Sequence, residues 1–540
     1  MNSPSYRIRL FHDLLKIVVL PFVAFYLINA GLFDSLLPLP SCVGFIIGWS
    51  ICKAFLTRML QQVNRHRIGA KEITCVRGRW PGNIDVLLKM LRAFKTSYIL
   101  DVYLQLFEEY QCTTLNTRIL WTDHIITMDQ EHSKFVLSTG FDHFWRGRWQ
   151  KERMERFLGQ GIFNRDDEHR GNTRPFFARE RISDFDIFEQ YTTKVLNIIS
   201  ASQASGQALD LQDLYSRFAL DAASEFLFGK NLDTLSATLP VAGKTKMGPK
   251  GSATEDPWGS FTRAFEMAQQ VITARSRIGY FWPMFELFGD KNASHSEVVH
   301  QYLDPLVRSA LDEKERMSRA GICSPVADKN FLQHLAESTD DTTACLLTYV
   351  TYFMAIYPEI TTRLRAEVLA HCGPSGSITY EQLRNMKYMR AVLNETLRLF
   401  PPVPLNVRES RPDGCILPSS DSTFVSNVTS NSPLHMPGST VITILPLLTQ
   451  RNPKLWGDDA DCVGQQYAYN EASFFLVRLL QQFDTFKLAP EAQPIGSSPP
   501  PEWRHKKGRQ AEEKIWPAAA LTLFVKGGLW TRITRVTESN

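Results

Sequence analysis

The sequence predicts a mainly α-helical body with a small β component, tethered to a membrane through its amino-terminal segment. Three observations carry that expectation. Two uncharged apolar runs occupy residues 17–33 and 36–52, helical periodicity dominates from about residue 83 onward, and strand-like character is confined to short stretches late in the chain. The 540 residues suffice for one large domain or two ordinary ones, and a 44% hydrophobic content suits a packed core plus a membrane segment.

The apolar runs read "IVVLPFVAFYLINAGLF" and "LLPLPSCVGFIIGWSIC". Each approaches the roughly 17–25 residues that cross a bilayer. The first resembles a signal-peptide core, but its length, Pro21 and the second run directly behind it favour an uncleaved anchor. Residues 1–60 are therefore expected to form the anchor, 61–82 a linker and 83–540 the body. Arg7, Arg9 and Lys16 precede the runs and Lys53, Arg58, Arg65 and Arg67 follow them. Under the positive-inside rule this suits a two-span hairpin with both ends in the cytosol. A single span, with the second run lying on the membrane, fits the same residues.

Sixty basic and 56 acidic residues give a formal charge of +4 without dense basic blocks, which argues against nucleic acid as a partner. Nine cysteines are scattered and none forms a Cys-x-x-Cys pair. A disulfide framework or zinc site is thereby disfavoured, and a reduced, cytosol-facing body is expected.

Along the body, "RWPGN" breaks the connector, and "LDLQDLYSRFALDAASEFLFG" is an amphipathic helix closed by Gly229. Residues 239–257 form a loop rich in Gly, Pro and Lys, after which helix resumes. Thr379 and Gln382 make a capping box, opening a helix expected to run to Leu399, where Pro401 and Pro402 stop it. "PGSTVITILP" and "PAAALTLFVKGG" read as short strands separated by the helix after Cys462 and a Pro-rich loop.

Three places carry candidate chemistry. Glu395 and Arg398 lie one helical turn apart on one face; such pairs are commonly solvated and worth little, but this one sits among large apolar residues, ahead of Arg408. Asp341, Thr342 and Thr343 interrupt an apolar helix, where they either hold a water chain or back-bond to the helix. Cys462 stands at the mouth of "GQQYAYNEASFFLVRLLQQF". It is either a small core residue or a thiolate stabilised by a helix amino terminus.

Together these stretches resemble the cytochrome P450 haem-thiolate monooxygenases. Glu395-Thr396-Leu397-Arg398 matches their Glu-x-x-Arg, "DDTTA" the end of their central-helix motif, and Cys462-Val463-Gly464 the Cys-x-Gly of their haem loop. The resemblance implies the cytochrome P450 fold and a haem whose iron is ligated by Cys462, with Asp341 and Thr342 assisting proton delivery. Glu395 and Arg398 become the structural pair on the haem side, and Arg170 and Arg408 the candidates for the haem propionates. It further implies electrons from NADPH through a reductase partner, a lipophilic substrate, and an endoplasmic-reticulum membrane location with the body facing the cytosol. The tail "GQQYAYNEASFFLVRLLQQF" and "TYFMAIYPEITTRLRAEV" look most like the fungal branches that hydroxylate alkanes and fatty acids.

The resemblance breaks at three functional places. Leu455, Asp458 and Ala460 occupy the Phe, Gly and Arg positions before Cys462, Ser338 and Thr339 stand where the central helix has Ala and Gly, and Asp166 replaces a Trp before Arg170. Good flanking matches make these breaks look like missing short segments. Asp458, Asp459 and Asp461 also place negative charge beside Cys462, which disfavours its thiolate. The alternative expectation is thus a membrane-tethered relic that holds no haem.

Overall fold

The computed structural model describes residues 5–32, 39–159, 185–228, 231–244, 257–319, 329–420, 432–452, 455, 466–506 and 508–536. Helix α1 (Ser5–Leu14) passes through a π turn into α2 (Leu20–Leu32), and α3 (Leu39–Ile68) runs back beside it. Both are long and apolar enough to cross a membrane, and few of their side chains are covered: Leu20, Leu27, Ile47 and Ile51 all stand exposed. This amino-terminal hairpin is the candidate membrane anchor. Helix α3 continues through the first residues of the expected linker to Ile68, and the chain then joins the body, with the Lys71 amide on the Pro433 carbonyl at 2.9 Å and the Val76 amide on the Asn116 carbonyl at 2.8 Å.

The body opens with α4 (Ile84–Thr96), α5 (Asp101–Tyr110), β1 (Thr114–Asn116), β2 (His124–Thr127), α6 (Gln130–Lys134), β3 (Phe144–Trp145) and α7 (Arg148–Leu158). Helices α8 (Phe185–Ser205), α9 (Leu211–Phe228), α10 (Pro257–Ile278), α11 (Ala293–Arg319), α12 (Lys329–Ile356) and α13 (Pro358–Cys372) follow, with β4 (Leu209–Asp210) between α8 and α9. Beyond α14 (Tyr380–Asn385) and α15 (Lys387–Leu399) come β5 (Asn406–Ser410), β6 (Cys415–Leu417), β7 (Leu434–Met436), β8 (Val441–Ile444) and α16 (Pro446–Thr449). Then α17 (Gln466–Gln482) leads into β9 (Phe483–Leu488), and the short hairpin β10 (Pro517–Ala519)–β11 (Leu523–Val525) precedes β12 (Trp530–Arg535). This is the mainly helical fold with small sheets that the sequence predicts, but strands β1 to β4 lie early in the chain, where only helix was expected, because they are short and, the β1–β2 pairing apart, join partners distant in sequence.

The main sheet has the order β1-β2-β8-β5-β3, with β2 and β8 parallel and the other pairs antiparallel. Strand β8 falls inside "PGSTVITILP" as expected, whereas "PAAALTLFVKGG" folds as the β10–β11 hairpin instead of one strand. The turn between them is made at Ala520, whose amide bonds back to the Thr522 carbonyl at 3.0 Å.

Helix α12 is the hub of the core. It packs along α9, where Leu214, Tyr215, Phe218 and Ala222 meet a buried face bearing Leu346, Leu347, Val350 and Tyr349, and also contacts α15 and α17. The Tyr215 hydroxyl and Thr351 Oγ1 lie 2.9 Å apart inside this contact, so the tyrosine's buried polar end is satisfied. On helix α17, Phe474, Phe475, Leu476, Val477, Leu479 and Leu480 are all buried. It is enclosed by α8, α12, α13 and β9, so the apolar stripe widens to nearly the whole circumference.

The expected single helix from residue 379 to 399 is two helices. The Thr379–Gln382 capping box is present, but it opens only α14; the chain turns at Met386 (φ −74°, ψ 90°) before α15 begins. The second helix has an amino-terminal cap of its own from another element. The Glu367 carboxylate on α13 accepts the Tyr388 and Met389 amides at 2.8 Å each, satisfying two donors that lack an intrahelical partner.

Candidate functional site

The Glu395–Arg398 pair forms as its spacing predicts. Arg398 Nε donates to Glu395 Oε2 at 2.7 Å and Nη2 to Oε1 at 2.6 Å, a bidentate fork that fixes both side chains. The third guanidinium nitrogen reaches off the helix to the Gln450 carbonyl at 2.9 Å. Glu395 is 46% exposed and Arg398 19%, so the fork is worth little as stabilising energy; its geometric role is to tie α15 to the chain just past α16.

Sequence reasoning missed the neighbouring residue that completes this tie. Arg451 Nε donates to the Leu399 carbonyl at 2.7 Å and Nη1 to the Tyr98 hydroxyl at 2.8 Å, while its guanidinium lies 4.8 Å from the centre of the Phe400 ring. A cation thus sits on the last carbonyls of α15, where the helix dipole is negative. The available signal was an arginine directly after Gln450, but nothing local linked it to a helix that ended 52 residues earlier.

Arg408 lies buried in β5, opposite Ile442 of β8. Its Nη1 donates to Asn406 Oδ1 at 2.8 Å and to the Val407 carbonyl at 2.9 Å. Thr342 is on α12, partly buried, one residue before the fully buried Thr343. Asp341 precedes it on the same helix, with its side chain outside the described residues. Arg170 and Cys462 also lie outside the described residues.

The two readings of the threonines separate at Thr343. Thr348, one turn and a half further along α12, back-bonds to the Ala344 carbonyl at 2.6 Å, as helical Thr commonly does. Thr343 Oγ1 is buried and makes no such bond among the described residues. Across from it on α17 is Glu471, also buried, whose Oε1 has no hydrogen-bond partner among the described residues. Burial pushes the Glu471 carboxyl up to about 8, and the nearby Thr343 hydroxyl offsets this only in part. The chain therefore keeps a protonatable acid inside an apolar contact, on the helix that begins four residues after Cys462. Its sequence signal was a lone Glu in the otherwise uncharged run "YNEASFFLV".

The family model described as cytochrome P450 matches residues 81–461, a span that takes in Arg170, Asp341, Thr342, Glu395, Arg398 and Arg408. Among curated relatives, cytochrome P450 monooxygenase g430 of Fusarium sp is 29% identical over 479 residues, covering 78% of this chain and 81% of the relative. Cytochrome P450 52E2 of Candida apicola is 29% identical over 458 residues, with 76% and 85% covered, and cytochrome P450 52A6 of Candida tropicalis is 27% identical over 531 residues, with 87% and 96% covered. With its helical body built around α12, its Glu-x-x-Arg fork on α15 and a family match over most of its length, this chain belongs to the cytochrome P450 family of monooxygenases.

Proposed function

We propose that the protein is a membrane-anchored haem-thiolate monooxygenase that hydroxylates an alkane or fatty acid, its body facing the cytosol at the endoplasmic reticulum and its electrons coming from NADPH through a reductase. The observation that carries this reading is the Glu395–Arg398 fork held to the Gln450 carbonyl, because it anchors the start of the very segment that leads to Cys462. The chemistry of the described residues suits a haem. Arg408 brings a buried guanidinium, complementary to a propionate, and the buried Thr343 hydroxyl faces the buried carboxyl of Glu471 on the helix that follows Cys462.

When bound, a haem supplies the oxygen chemistry, in which one atom of O2 enters a substrate C–H bond and the other leaves as water, with two electrons and two protons consumed. The chain's own part is ligation, positioning and proton supply. Cys462 would hold the iron as a thiolate. Arg408 and Arg170 would pair with the propionates, and Glu395 with Arg398 would keep the ligand-bearing segment in register. Thr342 and Asp341 would pass protons inward from water. The substrate class rests on the likeness to fungal cytochromes P450 and on an anchor that keeps the body where lipophilic molecules concentrate.

A specific observation favours a second reading, a tethered relic without stable haem. The alignment to the Candida tropicalis relative runs over 531 residues yet takes in 87% of this 540-residue chain, about 470 residues, so it crosses positions where this chain has nothing. In the sequence, Asp458, Asp459 and Asp461 lie within four residues of Cys462, and negative charge there disfavours its thiolate. A carbon-monoxide difference spectrum of the reduced, membrane-bound protein separates the two. A thiolate-type Soret band that vanishes in Cys462→Ala supports the monooxygenase. Folded protein without bound haem supports the relic.

A further inference from the structure

We propose that the amino-terminal helix α1 is a docked part of the cytosolic body, so that the anchor is a two-span hairpin whose two ends are held on the same face of the membrane. This rests on residues 17–33 and 36–52 being embedded in lipid, and it does not depend on haem binding.

The docking contact combines a charged cluster with buried aromatic packing. Arg9 Nε lies 2.5 Å from Glu152 Oε2 on α7, with both side chains almost wholly buried, and Arg148 Nε holds the other oxygen of Glu152 at 3.0 Å. Arg9 also reaches Asp13 at 3.2 Å, and Asp13 accepts the Tyr280 hydroxyl at 2.9 Å. The Arg9 guanidinium sits 4.0 Å from the Trp149 ring centre, and the Tyr6 ring is 4.5 Å from that of Trp282. Arg9 and Glu152 are thus paired inside a buried contact, with Asp13 partly covered beside them and the more exposed Arg148 at the rim. A buried pair of this kind is costly to open, because each partner left behind is an uncompensated charge. Arg9 and Glu152 are 143 residues apart, so the contact specifies where α1 must lie.

The hairpin is tied at its other end as well. After α3, Lys71 and Val76 hydrogen-bond to Pro433 and Asn116 of the body. Between these ties α2 and α3 run antiparallel, with Phe25 and Phe45 in ring contact at 5.4 Å. A chain fixed to one soluble body before and after its apolar segments crosses the membrane an even number of times. Lengths agree: Leu14 to Leu32 is 19 residues, about 28 Å of helix against a hydrocarbon core of about 30 Å, once Arg9 and Asp13 are assigned to the body. Beside the docking site, Met284, Phe285, Leu287 and Phe288 are exposed, an apolar edge next to where the chain enters the lipid. The Glu286 carbonyl within that edge accepts the Tyr6 hydroxyl at 3.3 Å.

The test uses the full chain in sealed microsomes, with one epitope tag at the amino terminus and another at the carboxyl terminus. The proposal expects added protease to remove both tags without detergent. An amino-terminal tag protected until detergent is added, with the carboxyl-terminal tag lost at once, overturns it. Release of the chain by alkaline carbonate would show that the segments are not embedded and would overturn it for that separate reason. A double-mutant cycle on purified protein supplies the second readout. Arg9→Met and Glu152→Gln should each lower the melting temperature by a few degrees, with the pair no worse than the more damaging single change. No effect of Arg9→Met, or simple additivity, would mean that α1 does not dock.

Discussion

Arg451 Nε donates to the carbonyl oxygen of Leu399 at 2.7 Å, which fastens the chain beyond α16 to the last turn of the helix that carries Glu395 and Arg398. Removing the guanidinium leaves that carbonyl and the Tyr98 hydroxyl without their cationic donor. Arg451→Gln should therefore destabilise the fold by about 1.5–3 kcal/mol, the range of a hydrogen bond to a charged group. Arg451→Lys should recover only part of this, since an ammonium cannot serve both acceptors in the same fork. Chemical denaturation with both variants checks the order; equal losses would mean that charge, and not geometry, is what matters.

Glu471 gives stability a pH dependence of known sign. Its folded value is raised to about 8 by burial, above that of an exposed glutamate near 4.3. The unfolded chain ionises first as pH rises, so the stability this group supports is complete below about 4, declines above it and is lost once pH passes 8. Glu471→Gln, which keeps the shape without the titration, should flatten that decline and melt higher than the parent above pH 8. Parallel melting curves at pH 5, 7 and 8.5 measure it. A variant that tracks the parent at every pH would place the titration elsewhere.

Helix α17 carries an internal contrast between charge and core. Arg478 contacts Glu189 at 2.6 Å, but Glu189 is 43% exposed, whereas Phe475 is fully buried with the rings of Tyr215 and Phe218 at 5.3 and 4.9 Å. The shorter distance is the weaker contribution, because water screens the ion pair and a truncated ring leaves a cavity. Glu189→Gln should cost under about 1 kcal/mol and Phe475→Ala about 3–5 kcal/mol. Denaturant midpoints for the two variants decide it, and comparable losses would refute the ranking.

What was legible in the sequence is what local spacing encodes. Thr379 and Gln382 are three residues apart, and their reciprocal cap is there; Glu395 and Arg398 are one turn apart, and their fork is there. What was not legible depends on partners distant in the chain. The break at Met386 makes sense only with Glu367 waiting on α13, and Arg451 only with Leu399 and Tyr98. Glu471 reads as an ordinary helix residue until Thr343 is set opposite it. Composition and periodicity carry no term for such encounters, and the same limit hid the burial of α17 on nearly every side.

The Glu367 cap bears directly on the site, since α15 cannot hold Glu395 and Arg398 in place unless its first turn is formed. With the Tyr388 and Met389 amides both on one carboxylate, loss of Glu367 uncovers two helix donors at once and removes a negative charge from the positive end of the helix dipole. Glu367→Ala should cost about 1–2 kcal/mol, and Glu367→Gln less, because its amide oxygen can still accept one bond. The effect should be local before it is global. Hydrogen exchange at Tyr388 and Met389 should quicken by roughly tenfold for each 1.4 kcal/mol lost, while the core face of α12 at Leu347 and Val350 keeps its protection. Uniform quickening across α12 and α15 would instead mean that Glu367 supports the whole core, and unchanged exchange at both amides would mean that Met386 ends α14 for reasons of its own.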